Sequence, residues 1–386
     1  MVDEKNLDDL EKRVDALSAQ RSGGDAPLNA GKDERAAGAS EKSVGTREKL
    51  TGEHAEISEG PVGLDIGTSH IVAAQKKFKY IETIQELNAF FTVPNTKFAR
   101  DFLHQKDVMY YEHGNQYYIF GYSAESFANM FNTDTRRSMK DGIISPKEED
   151  SINVISAIVN TLIQKPKNFG ETLCFVIPGE PFQGTGSVVY HESVIKRILG
   201  GLGYSPISIN EGMAIVVSEL SKDDYTGIGI SMGGGMCNVC LSYLSFPVIT
   251  YSIQMAGDYI DAMVGEAVGE PATKIKVIKE EELDLTREPK DRVMAALNIF
   301  YDELIFKLLE SLQRALSLTD KIPKIKTPIP IVLSGGTAMP KGCRETFEKM
   351  LKNVSLPIEI STVRIAEDPI NTPAKGALTM AMREAE

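Results

Sequence analysis

Alternating strands and helices predict an α/β fold in which mixed sheets are flanked by helices. From Pro61 onward, short apolar runs bounded by glycine alternate with longer segments whose apolar residues recur at helical spacing. A strand, a glycine-containing turn and a second strand occur twice, near residues 65 and 231. The alternation indicates layered sheets and helices, and the repetition indicates two related halves that face one cleft.

The predicted elements follow one another in a regular order. The first half begins with the strands VGLDIG, HIVAAQKKF and QYYIFGY and the helix EEDSINVISAIVNTLIQ, followed by TLCFVIPG as a strand, HESVIKRILGGLG as a helix, PISIN as a strand and EGMAIVVSEL as a helix. The second half continues with the strands TGIGISM, MCNVCLSYL and PVITYSIQM, the helices GDYIDAMVGEAVG and DRVMAALNIFYDELIFKLLESLQRALSL, the strand PIPIVLSGG and the helix TPAKGALTMAMRE.

Composition restricts the class of protein. A chain of 386 residues is long enough for two domains with cores, and 42% hydrophobic with 25% charged residues is typical of soluble globular proteins. The net charge of -12 argues against a nucleic acid or an anionic membrane as the main partner. No apolar run reaches the roughly 20 residues of a transmembrane helix, and the N-terminus lacks the features of a secretory signal. We therefore expect a cytoplasmic protein without a transmembrane segment.

Four cysteines are consistent with a reducing compartment. Cys237 and Cys240 form a CxxC pattern within a predicted strand, where their side chains would point to opposite faces. No second pair completes a zinc site, so buried thiols are the favoured interpretation.

The first 60 residues differ from the rest of the chain. Residues 21–60 are rich in Gly, Ala, Ser, Glu and Lys with few large apolar residues, which predicts disorder. Before them, a charged helix of about two heptads is predicted, with apolar residues at a and d spacing, namely Leu7, Leu10, Val14 and Leu17. A solitary marginal helix is slightly favoured over a docking segment for a protein partner.

Three glycine turns are candidates for a phosphate site. In the first, Asp65-Ile66-Gly67-Thr68-Ser69, glycine admits a close approach and the hydroxyls and N–H groups can bind anionic oxygen. Asp65 would repel phosphate, so its natural role is to hold hydrated Mg²⁺. An ordinary hairpin turn is the alternative for this stretch alone.

The other two turns also end apolar strands. Ser231-Met232-Gly233-Gly234-Gly235-Met236 places three glycines between two strands, which is useful where the backbone must approach a β- or γ-phosphate. After PIPIVL, the stretch with Gly335, Gly336 and Thr337 offers a flat surface for an adenine ring or a phosphate. Each alone could be a plain tight turn, but three such turns favour a shared site.

Taken together, these stretches resemble the actin, sugar kinase and heat-shock ATPase superfamily. LDIGTSH is similar to its phosphate-1 motif, INEGMAIVVSEL to connect-1, GISMGGGMCNV to phosphate-2, IVLSGGTAMPKG to the adenosine motif and AKGALTMAM to connect-2. The bacterial actin-like proteins of the MreB and MamK type fit best, through a DGI run at residues 141–143 and an AGDxxD run at residues 256–261. The resemblance covers about residues 61–386.

The resemblance implies a two-lobed actin-like fold with duplicated ribonuclease-H-like domains around a cleft that holds ATP and Mg²⁺. Lobe I would comprise residues 61–222 and 366–386 with a small subdomain at about 81–140, and lobe II residues 223–365 with a reduced small subdomain at about 267–290. Asp65 would organise Mg²⁺ through water. Phosphates would be bound by Gly67, Thr68, Ser69, Gly233, Gly234 and Gly235, and the adenosine by Gly335, Gly336 and Thr337.

Glu211 occupies the place of the glutamate that positions the attacking water in MreB-like proteins. A carboxylate at a helix start beside the phosphates can orient water for in-line attack. The alternative is a helix-start carboxylate favoured by the helix dipole.

Two departures from the family pattern affect these expectations. Ser231 replaces the usual phosphate-2 aspartate, Met236 the threonine and Asn238 an acidic residue, so hydrolysis could be slow or absent while nucleotide binding is less affected. Only about thirty residues separate Ile260 from the long helix near Asp291, so the second small subdomain must be reduced. Lys274 is the candidate there for contacting the nucleoside, and the preference between ATP and GTP stays open.

Three functions compete at this level. The first is a filament-forming ATP-binding cytoskeletal protein, possible because head-to-tail contacts that do not close produce filaments. The second is a non-polymerising actin-like adaptor of the pilus-assembly or division-protein type, with weak or no ATPase activity. An active phosphotransferase is the weakest, because no substrate base stands out.

Overall fold

A computed structural model describes residues 60–106, 108–131, 133–144, 150–182, 187–319, 323–325 and 327–386. The predicted N-terminal helix and disordered segment lie outside these residues. The strands of the first half are β1 Val62–Ile66, β2 His70–Lys77, β3 Tyr80–Leu87, β4 Ala89–Pro94, β5 Tyr110–His113, β6 Gln116–Phe120, β7 Arg136–Arg137, β8 Met139–Lys140, β9 Ile143–Ile144, β10 Thr172–Ile177 and β11 Ser205–Asn210.

The second half contributes β12 Gly227–Met232, β13 Cys237–Tyr243, β14 Phe246–Ile253, β15 Ile329–Ser334 and β16 Ile360–Ile365. The helices in chain order are α1 Lys97–Lys106, α2 Tyr122–Phe131, α3 Ser151–Leu162, α4 Val188–Gly201, α5 Glu211–Glu219, α6 Gly257–Val268, α7 Ala272–Glu282, α8 Arg292–Ser317, α9 Cys343–Leu351 and α10 Thr372–Glu384.

Two five-stranded sheets repeat one topology. The first sheet has the order β11-β10-β1-β2-β3 and the second has the order β14-β13-β12-β15-β16. In each, an antiparallel three-strand meander begins at β1 or β12, and that same strand pairs in parallel with a later strand, β10 or β15. The predicted α/β fold with two related halves is confirmed.

A smaller sheet with the order β5-β6-β4-β7 and helices α1 and α2 occupies residues 89–137. This unit lies inside the segment where the first small subdomain is expected. In the region of the reduced second subdomain, the described structure is helix α7. The lobe boundaries proposed from the sequence stay predictions.

Helices α5 and α10 join the two sheets through a shared core. Buried residues of β10, α5, β13, β15 and α10 form one apolar cluster. The helices approach closely because a Cβ on Gly376 of α10 would overlap the backbone of Ala214 in α5. The cysteine prediction also holds: Cys240 joins this cluster, whereas Cys237 packs into the core on the other face of β13, and both are free buried thiols.

Candidate functional site

One cavity of about 480 Å³ lies at the carboxyl ends of β1, β12 and β15. These strand ends carry the three glycine turns, so the duplicated topology brings the turns together. The cavity is lined by every site residue predicted from the sequence except Lys274, namely Asp65, Gly67, Thr68, Ser69, Glu211, Gly233, Gly234, Gly235, Gly335, Gly336 and Thr337. The structure therefore places these residues at one site, and the roles assigned to them stay predictions.

The first turn is held in place by Asn88, a fully buried residue that sequence analysis missed. Its side-chain amide donates to the carbonyl of Gly67 at 2.8 Å, and its backbone N–H donates to the carbonyl of Ser69 at 2.8 Å. The Gly67 N–H donates to the His70 carbonyl at 2.9 Å, and the Thr68 carbonyl accepts from Arg137 at 3.4 Å. These backbone groups are therefore bonded to protein, and the hydroxyls of Thr68 and Ser69 are the side-chain polar groups that the turn brings to the cavity.

The second turn is held by the start of helix α6. The N–H groups of Gly257 and Asp258 donate to the carbonyls of Gly233 and Gly234 at 3.1 and 2.8 Å, and the hydroxyl of Thr337 donates to the Gly233 carbonyl at 2.7 Å. The AGDxxD run identified in the sequence therefore supports the turn through the backbone N–H groups of the run. The N–H of Gly233 is also used, in a bond to the Met236 carbonyl at 3.2 Å, so the N–H groups that this turn can offer to a ligand are those of Gly234 and Gly235.

The first and second turns face each other at close range. A Cβ on Gly234 would overlap the Ser69 side chain, and a Cβ on Gly235 would lie 2.6 Å from the hydroxyl oxygen of Thr68. The glycines are therefore required by proximity, since neither has a positive φ. Gly142 of the DGI run closes this contact, because a Cβ there would overlap Met236.

The third turn combines one constrained glycine with one open glycine. Gly335 has φ +91, and a Cβ on it would overlap the backbone of Met232. At Gly336, nothing lies within 4 Å of an added Cβ, although the residue lines the cavity. The open surface at Gly336 is the part of the cavity where a flat ring can lie against backbone.

Two carboxylates lie together on the cavity wall. Burial, and then the nearby charge of Glu211, raise the pKa of Asp65 well above its usual range. Burial raises the pKa of Glu211 to about 7, against a hydrogen bond from the Ser231 hydroxyl that lowers it. Within the described residues no group of three or more His, Cys, Asp or Glu forms a metal cluster. The pair is suited to a hydrated cation bound to phosphate oxygens, for which one or two carboxylates suffice.

The structure does not place Lys274 at the cavity. Lys274 has a side chain that is 56% exposed and pairs with Glu270 at 2.9 Å. Lys276 and Lys279 of the same helix line the cavity instead, and Lys279 pairs with buried Asp261 at 2.8 Å. Helical geometry explains the difference, because residues two positions apart do not share a helix face.

Histidine and carboxylate groups complete the polar lining. His70 lies beside the first turn, and burial, followed by the charges of Lys276 and Arg137, lowers its pKa to about 4. Burial raises the pKa of Asp261 to about 6 despite the Lys279 ammonium, and its Oδ1 accepts no hydrogen bond from the described residues. This lining has both donors and acceptors beyond the glycine turns.

Comparison with known proteins confirms the predicted actin-like fold. A family model described as Volactin matches residues 61–381. The chain is similar in structure to a subunit of the MamK double helical filament, with a TM-score of 0.64, 18% identity and coverage of 84% of this chain and 98% of that one.

Two further structures extend the likeness. A non-polymerising MamK mutant bound to AMPPNP gives a TM-score of 0.53 at 15% identity, covering 84% of this chain and 99% of that one. MreB5 of Spiroplasma citri bound to ADP gives 0.56 at 14% identity, covering 83% and 95%. No curated protein sequence matches the chain. Among the described helices, none has the length and apolar character needed to cross a bilayer.

Proposed function

Because this chain belongs to the Volactin family and has an actin-like fold, we propose that it is an ATP-binding cytoskeletal protein whose subunits form nucleotide-regulated filaments. The structural likeness to a subunit of the MamK double helical filament supports the filament part of the proposal. The nucleotide part is supported by the likeness to MreB5 and MamK structures bound to ADP and AMPPNP.

The observation that carries the proposal is the convergence of three glycine turns on one cavity. Two turns from related strand ends approach so closely that side chains are excluded at Gly234 and Gly235. The carbonyls of Gly67, Ser69, Gly233 and Gly234 are bonded to protein groups, and the N–H groups of Gly67 and Gly233 are bonded within their own turns. The phosphate oxygens would therefore be bound by the N–H groups of Gly234 and Gly235 and by the hydroxyls of Thr68 and Ser69. The third turn supplies a bare surface at Gly336 for the base.

The carboxylates of Asp65 and Glu211 fit a site for Mg²⁺ bound together with ATP. A buried carboxylate whose pKa is raised by desolvation becomes ionised readily when a divalent cation is bound next to it. Asp65 would hold the hydrated ion, which supplies charge neutralisation for the phosphates. Because Ser231 replaces the second family carboxylate, the ion would be held more loosely and hydrolysis would be slow.

Glu211 is the residue that would orient the attacking water. It begins helix α5 and lines the same cavity as the phosphate turns. A raised pKa near 7 suits a group that exchanges hydrogen bonds with water at neutral pH.

Sedimentation and negative-stain microscopy with ATP, ADP or no nucleotide test the filament proposal. We expect pelletable filaments whose amount depends on the nucleotide, because closure of a cleft changes the surface that the next subunit contacts. A monodisperse protein in all three conditions would contradict filament formation and favour the second candidate function.

That second candidate is a non-polymerising actin-like adaptor with weak or no ATPase activity. It is favoured by one feature, the small extent of the region between α6 and α8, which contains the single described helix α7. A small second subdomain leaves less surface for a head-to-tail contact. An adaptor would bind nucleotide and remain unassembled.

The variant Gly336→Ala tests where the nucleoside lies. Nothing lies within 4 Å of the added methyl group, so the thermal unfolding temperature should stay within about 1 °C of wild type. If a base lies on this surface, the methyl group will weaken ATP binding by about tenfold or more. Gly200→Ala, which adds a methyl group in equally open space on α4, is the control. Equal ATP affinity in both variants would remove the nucleoside from this surface.

The remaining expectations stay predictions. These are a cytoplasmic location and the alternative that the N-terminal segment docks a protein partner. The preference for adenine over guanine also belongs to this proposal, and parallel titrations with ATP and GTP decide it.

A further inference from the structure

Asn238 is a buried amide whose two ends bind different parts of the protein. It lies on β13 directly opposite Ser231 of β12 and is 1% exposed. Its Oδ1 accepts the N–H of Gly179 at 2.8 Å, and its Nδ2 donates to Oε2 of Glu211 at 2.5 Å. Since an N–H and a carboxylate occupy the two ends, the orientation of the amide is determined by its partners.

Both partners of Asn238 belong to connections of the first sheet, whereas Asn238 is part of the second. Gly179 follows β10, and Glu211 begins α5 directly after β11. The segment at Gly179 is also bound to the second sheet through Ser252 of β14, whose hydroxyl donates to the Gly179 carbonyl at 2.8 Å. Asn238 of the second sheet therefore sets the position of the Glu211 carboxylate, which lies on the helix that follows β11 of the first sheet.

Strand β12, which precedes the second glycine turn (the phosphate-2 turn, residues 233–235), also contacts the Glu211 carboxylate. Ser231 lies at the end of β12, and its hydroxyl also hydrogen-bonds Glu211. The turn that connects β12 to β13 contains Gly233, Gly234 and Gly235. A shift of this turn therefore moves both donors to Glu211, the Ser231 hydroxyl and the Asn238 amide. Ser231 and Asn238 stand where the family pattern has acidic residues, and both are neutral donors to Glu211.

We propose that Asn238 is a positioning residue, which directs the Glu211 carboxylate from the second sheet and so makes its orientation depend on the phosphate-2 turn. This inference rests on the proposed ATP hydrolysis. In that reaction, the water oxygen bonds to the terminal phosphorus while the bond from this phosphorus to the bridging oxygen breaks. ADP leaves, and the proton of the water is carried away by the released phosphate. Asn238 does not line the cavity and acts through Glu211.

Three variants test the inference in full-length protein: Asn238→Ala, Glu211→Gln and the two combined. Asn238→Ala should lower the turnover number for phosphate release by about 10- to 100-fold, because a misplaced catalytic group loses that much. The dissociation constant for ATP, measured by calorimetry, should change by less than about twofold because backbone N–H groups supply the phosphate contacts. A merely structural role would not separate turnover from affinity in this way.

The combined variant shows whether Asn238 works through Glu211. If it does, adding Asn238→Ala to Glu211→Gln will not slow turnover further, because residues that act as a unit are not additive. Ser242→Ala is the control, since Ser242 is another buried polar residue of β13 that bonds the Tyr225 carbonyl at 2.8 Å, away from Glu211. Its turnover should equal that of wild type.

The outcomes separate this inference from the proposed function. Three results would overturn the positioning role and leave nucleotide binding intact. They are unchanged turnover in Asn238→Ala, losses that multiply in the combined variant, and a wild type that binds ATP without any turnover. Failure of wild type to bind ATP would remove the proposed function together with the inference.

Discussion

At the residue scale, the two carboxylates of the cavity have separate expected roles. Asp65 lies on β1 and Glu211 at the start of α5. Burial raises the pKa of each, and the charge of Glu211 raises that of Asp65 further. Replacing Glu211 with alanine should reduce phosphate release by about 10²-fold or more, because the attacking water loses the group that orients it. ATP affinity should be retained. Equal rates of phosphate release in wild type and Glu211→Ala would remove Glu211 from the mechanism.

His191 makes the stability of the fold depend on pH. The residue is 1% exposed, and burial lowers its pKa to about 4, against the opposing charge of Glu192. A folded-state pKa below the unfolded value means that the unfolded chain binds the proton first. Stability is therefore fully present above about pH 6.5 and is lost as the pH falls toward 4, by about 2 to 3 kcal/mol.

The variant His191→Gln tests this dependence because glutamine can still accept the N–H of Ile144, which lies 3.3 Å from Nδ1 of His191. Free energies of unfolding from denaturant titrations at pH 7 and pH 4.5 should differ more in wild type than in the variant. Parallel losses in the two proteins would show that other groups cause the acid sensitivity.

Sequence reasoning at this scale succeeded where a residue type has few explanations. Glycines that end apolar strands, and an aspartate beside them, could be assigned to one site before the structure was known. Asn88 and Asn238 could not, because a single asparagine in or after a strand has many uses and only the fold brings its partners together. Lys276 and Lys279 were missed because α7 was not recognised as a helix.

At the element scale, the crossing of α5 and α10 has a strict steric requirement. Gly376→Ala would place a methyl group on the Ala214 backbone, and the helices would have to separate. We expect a loss of about 2 to 4 kcal/mol in the free energy of unfolding, because overpacking against backbone is relieved only by moving a helix.

Gly200→Ala provides the matched change in a helix with free space. Gly200 of α4 has nothing within 4 Å of an added Cβ, so alanine should raise the free energy of unfolding by about 0.4 to 1 kcal/mol. Denaturant unfolding of both variants checks this pair. Equal stability of the two variants would mean that α5 and α10 are not in close contact.

The elements that were predicted are those with strong periodicity and apolar content. Strands β1, β12 and β15 and helix α8 follow directly from the pattern, as do the strand–turn–strand repeats. Strand β3 was missed because it is an edge strand with exposed apolar residues, including Tyr80, Ile81 and Ile84, and therefore lacks regular alternation. Helices α1, α2, α7 and α9 mix charged and apolar residues in short segments that tertiary contacts stabilise.

At the scale of the whole molecule, the two sheets are linked by both apolar and polar contacts. The shared core of α5 and α10 supplies the apolar link, and Asn238 and Ser252 supply polar links to the segment at Gly179. A ligand bound by turns of both sheets would draw on all of these contacts. This is the physical reason to expect that nucleotide changes the assembly of the protein.

The central claim is that turns from the two sheets bind one nucleotide, and isothermal titration calorimetry with millimolar Mg²⁺ tests it most directly. Titration of the full-length protein with ATP should give saturable binding at one site per chain. If neither ATP nor GTP is bound under these conditions, the cleft is not a nucleotide site and the proposed function is wrong.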